Sequence, residues 1–140
     1  MTLTIRPFSD LDAEPVIALW QACNLIASHN DPMKDIRFCV STSTAELFIG
    51  DADGEIIASV MTGHDGHRGW LYYLAVDPKC GGRGFGRAMV RHAEVWLKDL
   101  GVPKINLMIR DTNEDVRSFY EAIGYATEPR LVMARFLTDD

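Results

Sequence analysis

The sequence is poor in the features that mark membrane, secreted or nucleic-acid-binding proteins. Its longest uninterrupted apolar stretches, such as Ile56 to Ala58 and Trp70 to Val76, are only a few residues long, far short of the ~20 that a bilayer-spanning helix needs. Met1 to Arg6 is not a basic start followed by an apolar run, so no secretory signal is read there and a cytoplasmic location is expected. Cysteine is scarce. Cys23, Cys39 and Cys80 are odd in number and lack Cys-x-x-Cys spacing, which speaks against a disulfide framework or a zinc knuckle and makes reduced thiols the default. Basic residues are outnumbered, 14 Lys and Arg against 20 Asp and Glu for a net charge of −6. That sign argues against binding nucleic-acid phosphates and mildly favours a cationic partner.

What remains is ordinary globular material: 140 residues, 47% hydrophobic and 24% charged, expected to form one domain over 1–140. No repeat or biased segment interrupts it, so the chain reads as one alternation of strands and helices. Leu3 to Ile5 is a first strand. Ser9 or Asp10 caps a helix with Val16, Leu19, Trp20 and Cys23 on one stripe, and Asp31-Pro32 opens a second helix through Val40. Leu47 to Ile49, the Asp53-Gly54 turn, Ile56 to Met61 and Trp70 to Val76 predict a three-stranded meander. The last of these runs is apolar or aromatic throughout, as in a central strand covered on both faces. A helix carrying Met89, Ala93, Trp96 and Leu100 follows, then a strand from Lys104 to Ile109, a helix from Asn113 and a closing strand from Leu131 to Leu137. The expected fold class is α+β, a mixed central sheet with helices on both faces.

The most informative segment joins Val76 to Ala88 through Gly81-Gly82-Arg83-Gly84-Phe85-Gly86-Arg87. A strand there runs into a glycine-rich turn and then a helix. Such a turn leaves amide N–H groups pointing outward, and the helix N-terminus adds roughly half a positive charge, so a diphosphate fits. A plain, closely packed strand-to-helix turn would use the same glycines. The ligand classes narrow: no Gly-Lys-Ser or Gly-Lys-Thr is present, which excludes a P-loop, and the dinucleotide fingerprint fails at its third glycine.

Leu74-x-Val76-x-Pro78 followed by Gly82-Arg83-Gly84-Phe85-Gly86 resembles the acetyl-CoA-binding segment of the GCN5-related N-acetyltransferases (GNAT). Asn113, Tyr120 and Gly124-Tyr125 resemble that family's final helix, and the element order is similar from end to end. Trp20, Asn30-Asp31-Pro32 and Asp65 to Gly69 make the chain similar to small YpeA-like bacterial members. The resemblance implies the GNAT-type acyl-CoA N-acyltransferase fold. It also implies direct transfer of acetyl from acetyl-CoA to a primary amine of a small molecule or of a protein or peptide, through a tetrahedral intermediate. Gly82, Arg83, Gly84, Phe85, Gly86 and Arg87 would hold the diphosphate. Main-chain groups at Leu74, Ala75 and Val76 would hold the pantetheine arm, with an N–H near Leu74 or Ala75 facing the oxyanion. The strand ending at Val76 is expected to splay from the strand Ile105 to Ile109.

Tyr120 is the implied general acid for the leaving thiolate and, with Asn113, an implied cofactor contact, although spacing alone makes Tyr120 a core residue and Asn113 a helix cap. Two departures stand out. Gly81 occupies the place where the family pattern begins with Arg or Gln, and Trp70 the place where some members carry a base carboxylate. Asp65, His67 or a water on Tyr72 are the substitutes on offer. His64, Asp65 and His67 do not read as a metal site, because two histidines in a hairpin loop have no further paired ligands. The departures keep a second reading open, a non-catalytic coenzyme A-binding sensor or interaction module. The closing strand would be a lone edge or a homodimer contact.

Overall fold

A computed structural model describes residues 1–138, and the chain divides into two compact units, the first Met1–Leu107 and the second from Met108 on. In the first unit the strands β1 (Thr4–Pro7), β2 (Ala45–Ala52), β3 (Glu55–His64), β4 (Gly69–Val76) and β5 (Ile105–Asn106) form one sheet in sequence order. The first three pairings are antiparallel and the last is parallel. The β2–β3 turn is built as its sequence predicts. Asp53 and Gly54 both take positive φ, 53° and 83°, the backbone of the tight turn that matches strand twist.

Helices cover both faces of this sheet. Side chains alternate along β2, so Leu47 and Ile49 meet Val16, Leu19 and Trp20 of α1 (Ala13–Ala22) and Ile36 and Cys39 of α2 (Pro32–Val40). Phe48 points the other way, edge-on to His92 and Trp96 of α3 (Phe85–Asp99). Asp31 caps α2 by accepting from the Met33 and Lys34 amides, with Pro32 at the first helical position. At the other edge, Arg6 on β1 makes two hydrogen bonds of 2.7 and 2.9 Å to Asp12, whose carboxylate also accepts from the Ser9 amide.

The second unit holds α4 (Glu114–Ala122), capped by Asn113. Here two expectations are corrected. Leu131 to Leu137 does not form a strand: it is irregular, with Leu131, Met133 and Leu137 more than nine-tenths exposed. The strand expected from Lys104 to Ile109 is reduced to Ile105–Asn106. Alternating apolar residues permit a strand but do not create one. A strand also needs a ladder partner, and among the described residues neither segment finds one beyond the two β4–β5 pairs.

Gly50 sits where β2 is closest to its neighbours. A Cβ there would lie 2.8 Å from the Ala58 Cβ and 2.9 Å from the Leu3 Cδ1. Gly50→Ala is therefore expected to cost about 1–3 kcal/mol of stability, read from urea unfolding; an unchanged midpoint would mean the strand accommodates the methyl. The Arg6 guanidinium beside Asp12 holds its carboxyl below the ordinary 3.8. A depressed carboxyl contributes stability that is present above the ordinary value and disappears as pH falls through the folded one. Asp12→Asn should thus lose about 1–2 kcal/mol at neutral pH, the gap from the parent closing below about pH 4. A pH-independent gap would contradict this.

Candidate functional site

Only the first two residues of β4 are paired with β5: Gly69 opposite Ile105 and Trp70 opposite Asn106. The other edge of β4 is paired with β3 from Gly69 to Val76, apart from an irregularity where Met61 faces Tyr72 and Ser59 faces Ala75. Three steps along β4 match two along β3, so β4 carries one extra residue and bends there. Past Trp70, the main chain along the second edge has no strand partner among the described residues. The ladder ends because β5 itself ends at Asn106, so the expected strand from Ile105 to Ile109 is not there to diverge from β4 along its length.

The bulge is marked by Tyr73, whose φ of 50° is rare for a residue with a side chain and costs of order 1–3 kcal/mol. Three contacts hold it there. The ring stacks on buried Trp20 at 3.8 Å with planes 11° apart. The hydroxyl donates to Asp35 Oδ2 of α2 at 2.6 Å. The carbonyl accepts from Ser59 Oγ at 2.8 Å, and Ser59 Oγ itself accepts from Trp20 Nε1 at 2.9 Å. Burial and the Asp35 charge push the Tyr73 hydroxyl far up, so it stays a donor. At the end of β4, Cys23 Sγ donates to the Val76 carbonyl at 3.3 Å.

From Val76 the chain passes through Asp77, whose side chain accepts from the Lys79 amide, and a short 3₁₀ turn at Pro78–Cys80. It then reaches the glycines. Gly82 and Gly84 take φ of 77° and 78°, a left-handed backbone that favours glycine. A Cβ on either would meet nothing within 4 Å, so that side of the loop is open. The first hydrogen bond of the helix runs from the Ala88 amide to the Gly84 carbonyl. The six amides from Gly82 to Arg87 consequently have no acceptor among the described residues. They stand at the head of a 15-residue helix, where its dipole adds positive potential. Arg83 and Arg87 are exposed beside them. Such a set of donors fits a diphosphate.

The sequence model described as "Acetyltransferase (GNAT) family" matches residues 13–125. The chain belongs to this family of N-acetyltransferases. Acetyltransferase YE1169 of Yersinia enterocolitica is 38% identical over 138 residues, spanning 99% of this chain and 98% of that protein. Acetyltransferase ECA0875 of Pectobacterium atrosepticum is 39% identical with the same coverage. The GNAT fold is shared with AAC(6')-Iy, solved with the bisubstrate analogue CoA-S-monomethyl-acetylneamine: TM-score 0.83 at 18% identity, covering 99% of this chain and all of that one.

Within this GNAT chain the expected donor-side residues group in two places. Leu74, Ala75, Val76 and Gly82 to Arg87 lie on one continuous stretch of the first unit. Asn113 and Tyr120 lie at the start of α4 and on it, in the second. The Asn113 side chain accepts from the Val116 amide at 3.2 Å, so it is a helix cap, as its sequence position alone suggests. Tyr120 is buried, edge-on to Phe119 and Tyr125 at 5.0 and 5.3 Å. Burial pushes its hydroxyl up to about 12.

Asp65 is unsuited to be the base. Its carboxylate accepts from the His67 and Arg68 amides and from Trp70 Nε1, which pull it down to about 2. Nothing in the sequence pattern singles out Tyr73, Asp35 or Ser59. A run that is apolar or aromatic at every position has no two-residue period, so a bulge within it leaves no trace.

Gly81, at φ −65° and ψ 156°, has an extended backbone open to any residue. A Cβ there would meet only the Pro78 carbonyl, at 3.8 Å. Gly81→Arg should fold normally and bind acetyl-CoA about fivefold tighter by calorimetry, restoring the side chain with which the family pattern begins. Weaker binding would show that the loop geometry depends on glycine here.

Proposed function

We propose that the chain transfers an acetyl group from acetyl-CoA to a primary amine. The run of six unpaired amides, Gly82 to Arg87, at the head of α3 carries this reading. Bound acetyl-CoA would supply the activated acetyl group as a thioester. The amides and Arg83 and Arg87 grip its diphosphate. The open edge of β4 from Leu74 to Val76 offers main-chain donors and acceptors to the pantetheine arm, much as a further strand would use them. An N–H at Leu74 or Ala75, just past the bulge, faces the oxygen that gains charge on attack. A preorganised donor of this kind is worth about 3–4 kcal/mol where measured.

Tyr120 serves as the acid that protonates the departing thiolate. Raised to about 12, its hydroxyl keeps its proton across the working pH range. The rate should therefore show no alkaline loss from this group below about pH 11. The family resemblance is what gives Asn113, the cap of α4, a role toward the donor. The acceptor is an amine of a small molecule or a peptide. Support for an amine comes from the family itself and from the acetylneamine portion of the analogue bound by the fold relative AAC(6')-Iy.

Two measurements test this. Calorimetry should show acetyl-CoA binding, and an amine panel monitored for free thiol should show turnover. Tyr120→Phe should lower kcat roughly 100-fold while changing acetyl-CoA affinity little. Undiminished kcat would remove Tyr120 from the reaction, and an absence of acetyl-CoA binding would sink the reading.

A further inference from the structure

The face of β4 that meets α1 and α2 carries features that the donor side does not use. Trp70 and Tyr72, two residues apart, share this face, and their rings lie 6.5 Å apart with planes within 20°. Tyr72 is 45% exposed. It sits opposite Met61, which packs against the α1 and α2 core. The bulge then turns the next side chain, Tyr73, onto the same face, against Trp20. Three aromatic residues therefore line one side of the strand, from Trp70, the last residue paired with β5, to Tyr73, beyond that pairing.

Each end of this aromatic line fastens a carboxylate. Trp70 Nε1 donates to Asp65 Oδ2 at 3.2 Å, and the Tyr73 hydroxyl donates to Asp35 Oδ2 at 2.6 Å. Asp35 is half-buried. Burial first, and then the Asp65 charge, raises the hydroxyl of Tyr72, the ring between the two anchors. The Trp70 and Tyr73 anchor points are three residues apart along β4. Aromatic faces attract ammonium groups, and each fixed carboxylate adds an ion pair.

We infer that this face selects acceptors bearing at least two ammonium groups on a flexible chain, Asp35 orienting the amine that reacts and Asp65 with Trp70 and Tyr72 holding a distal one. The inference rests on the proposed amine acetylation and narrows it. A monoamine can engage one carboxylate at a time. A linear triamine can span both across the aromatic rings. The negative charge of the chain as a whole favours the same ligands over anionic ones.

The test uses the full chain with coenzyme A present, titrated calorimetrically with spermidine and, separately, with n-butylamine. Spermidine is expected to bind at least tenfold tighter, and more weakly as salt is raised. Asp65→Asn should raise the KM for spermidine about fivefold at nearly constant kcat. Asp35→Asn should raise KM and lower kcat together, because it orients the reacting amine. Tyr73→Phe keeps the stack on Trp20, removes the hold on Asp35, and should follow Asp35→Asn in part. Tyr72→Ala, at an exposed position, should weaken spermidine binding without changing coenzyme A affinity.

Equal affinity for spermidine and n-butylamine would overturn the inference, as would Asn variants that bind spermidine like the parent. If thiol is released with n-butylamine as readily as with spermidine, only this selectivity falls and the acetyl transfer stands. If coenzyme A itself does not bind, both fall.

Discussion

The site depends on where β4 stops being an interior strand. Pairing with β5 ends at Trp70, and an extra residue at Tyr73 bends the remainder of the strand. Had the parallel ladder continued to Val76, the main-chain groups of β4 would all be used within the sheet, and no thioester arm could lie along it. The left-handed backbone at Tyr73 is costly, so it persists only because its neighbours insist on it. Trp20 supplies a stacking surface, Ser59 a donor for the carbonyl, and Asp35 an acceptor for the hydroxyl. These contacts tie the bulge to α1, β3 and α2 at once. The same contacts that open the edge of β4 also fix the residues facing it.

Electrostatics in this chain is a matter of place rather than total. The net charge is −6, yet the head of α3 presents positive potential, because unpaired amides and a helix dipole act within a few ångströms. The acidic residues bear on the opposite problem. Asp65 is held ionised by two amides and an indole, and Asp35 is held by a phenol. The hold on Asp65 does not suit a base that must take a proton from an amine; it suits a fixed negative charge. Trp70, which the family resemblance sets where some members carry a carboxylate, donates its indole N–H to Asp65.

Much of the fold was legible because its signals were local. Asp53-Gly54 has one good hairpin geometry and adopts it. Asp31-Pro32 and Asn113 cap the helices they precede, and Gly82 and Gly84 take the left-handed angles that their position between strand and helix required. The segments that read wrongly share a cause. Lys104 to Ile109 carries the alternation of a strand and Leu131 to Leu137 is largely apolar, but pairing depends on a neighbour that neither pattern specifies. Tyr73 was hidden for the converse reason: in a run without polar residues, a shift of register changes nothing visible.

The glycine-rich turn with its unpaired amides is written into a few consecutive residues, since glycine tolerance of positive φ and the free amides of a helix start need no distant partner. Caps and apolar stripes likewise set the number and order of the helices. Which edge of β4 stays open, which side chains the bulge turns to one face, and the meeting of Asp35, Ser59 and Trp20 at Tyr73 are settled only when the chain packs in three dimensions. Those outcomes depend on residues 14 to 53 positions away along the chain. Their meeting is fixed by packing and hydrogen-bond satisfaction, which no local stretch encodes.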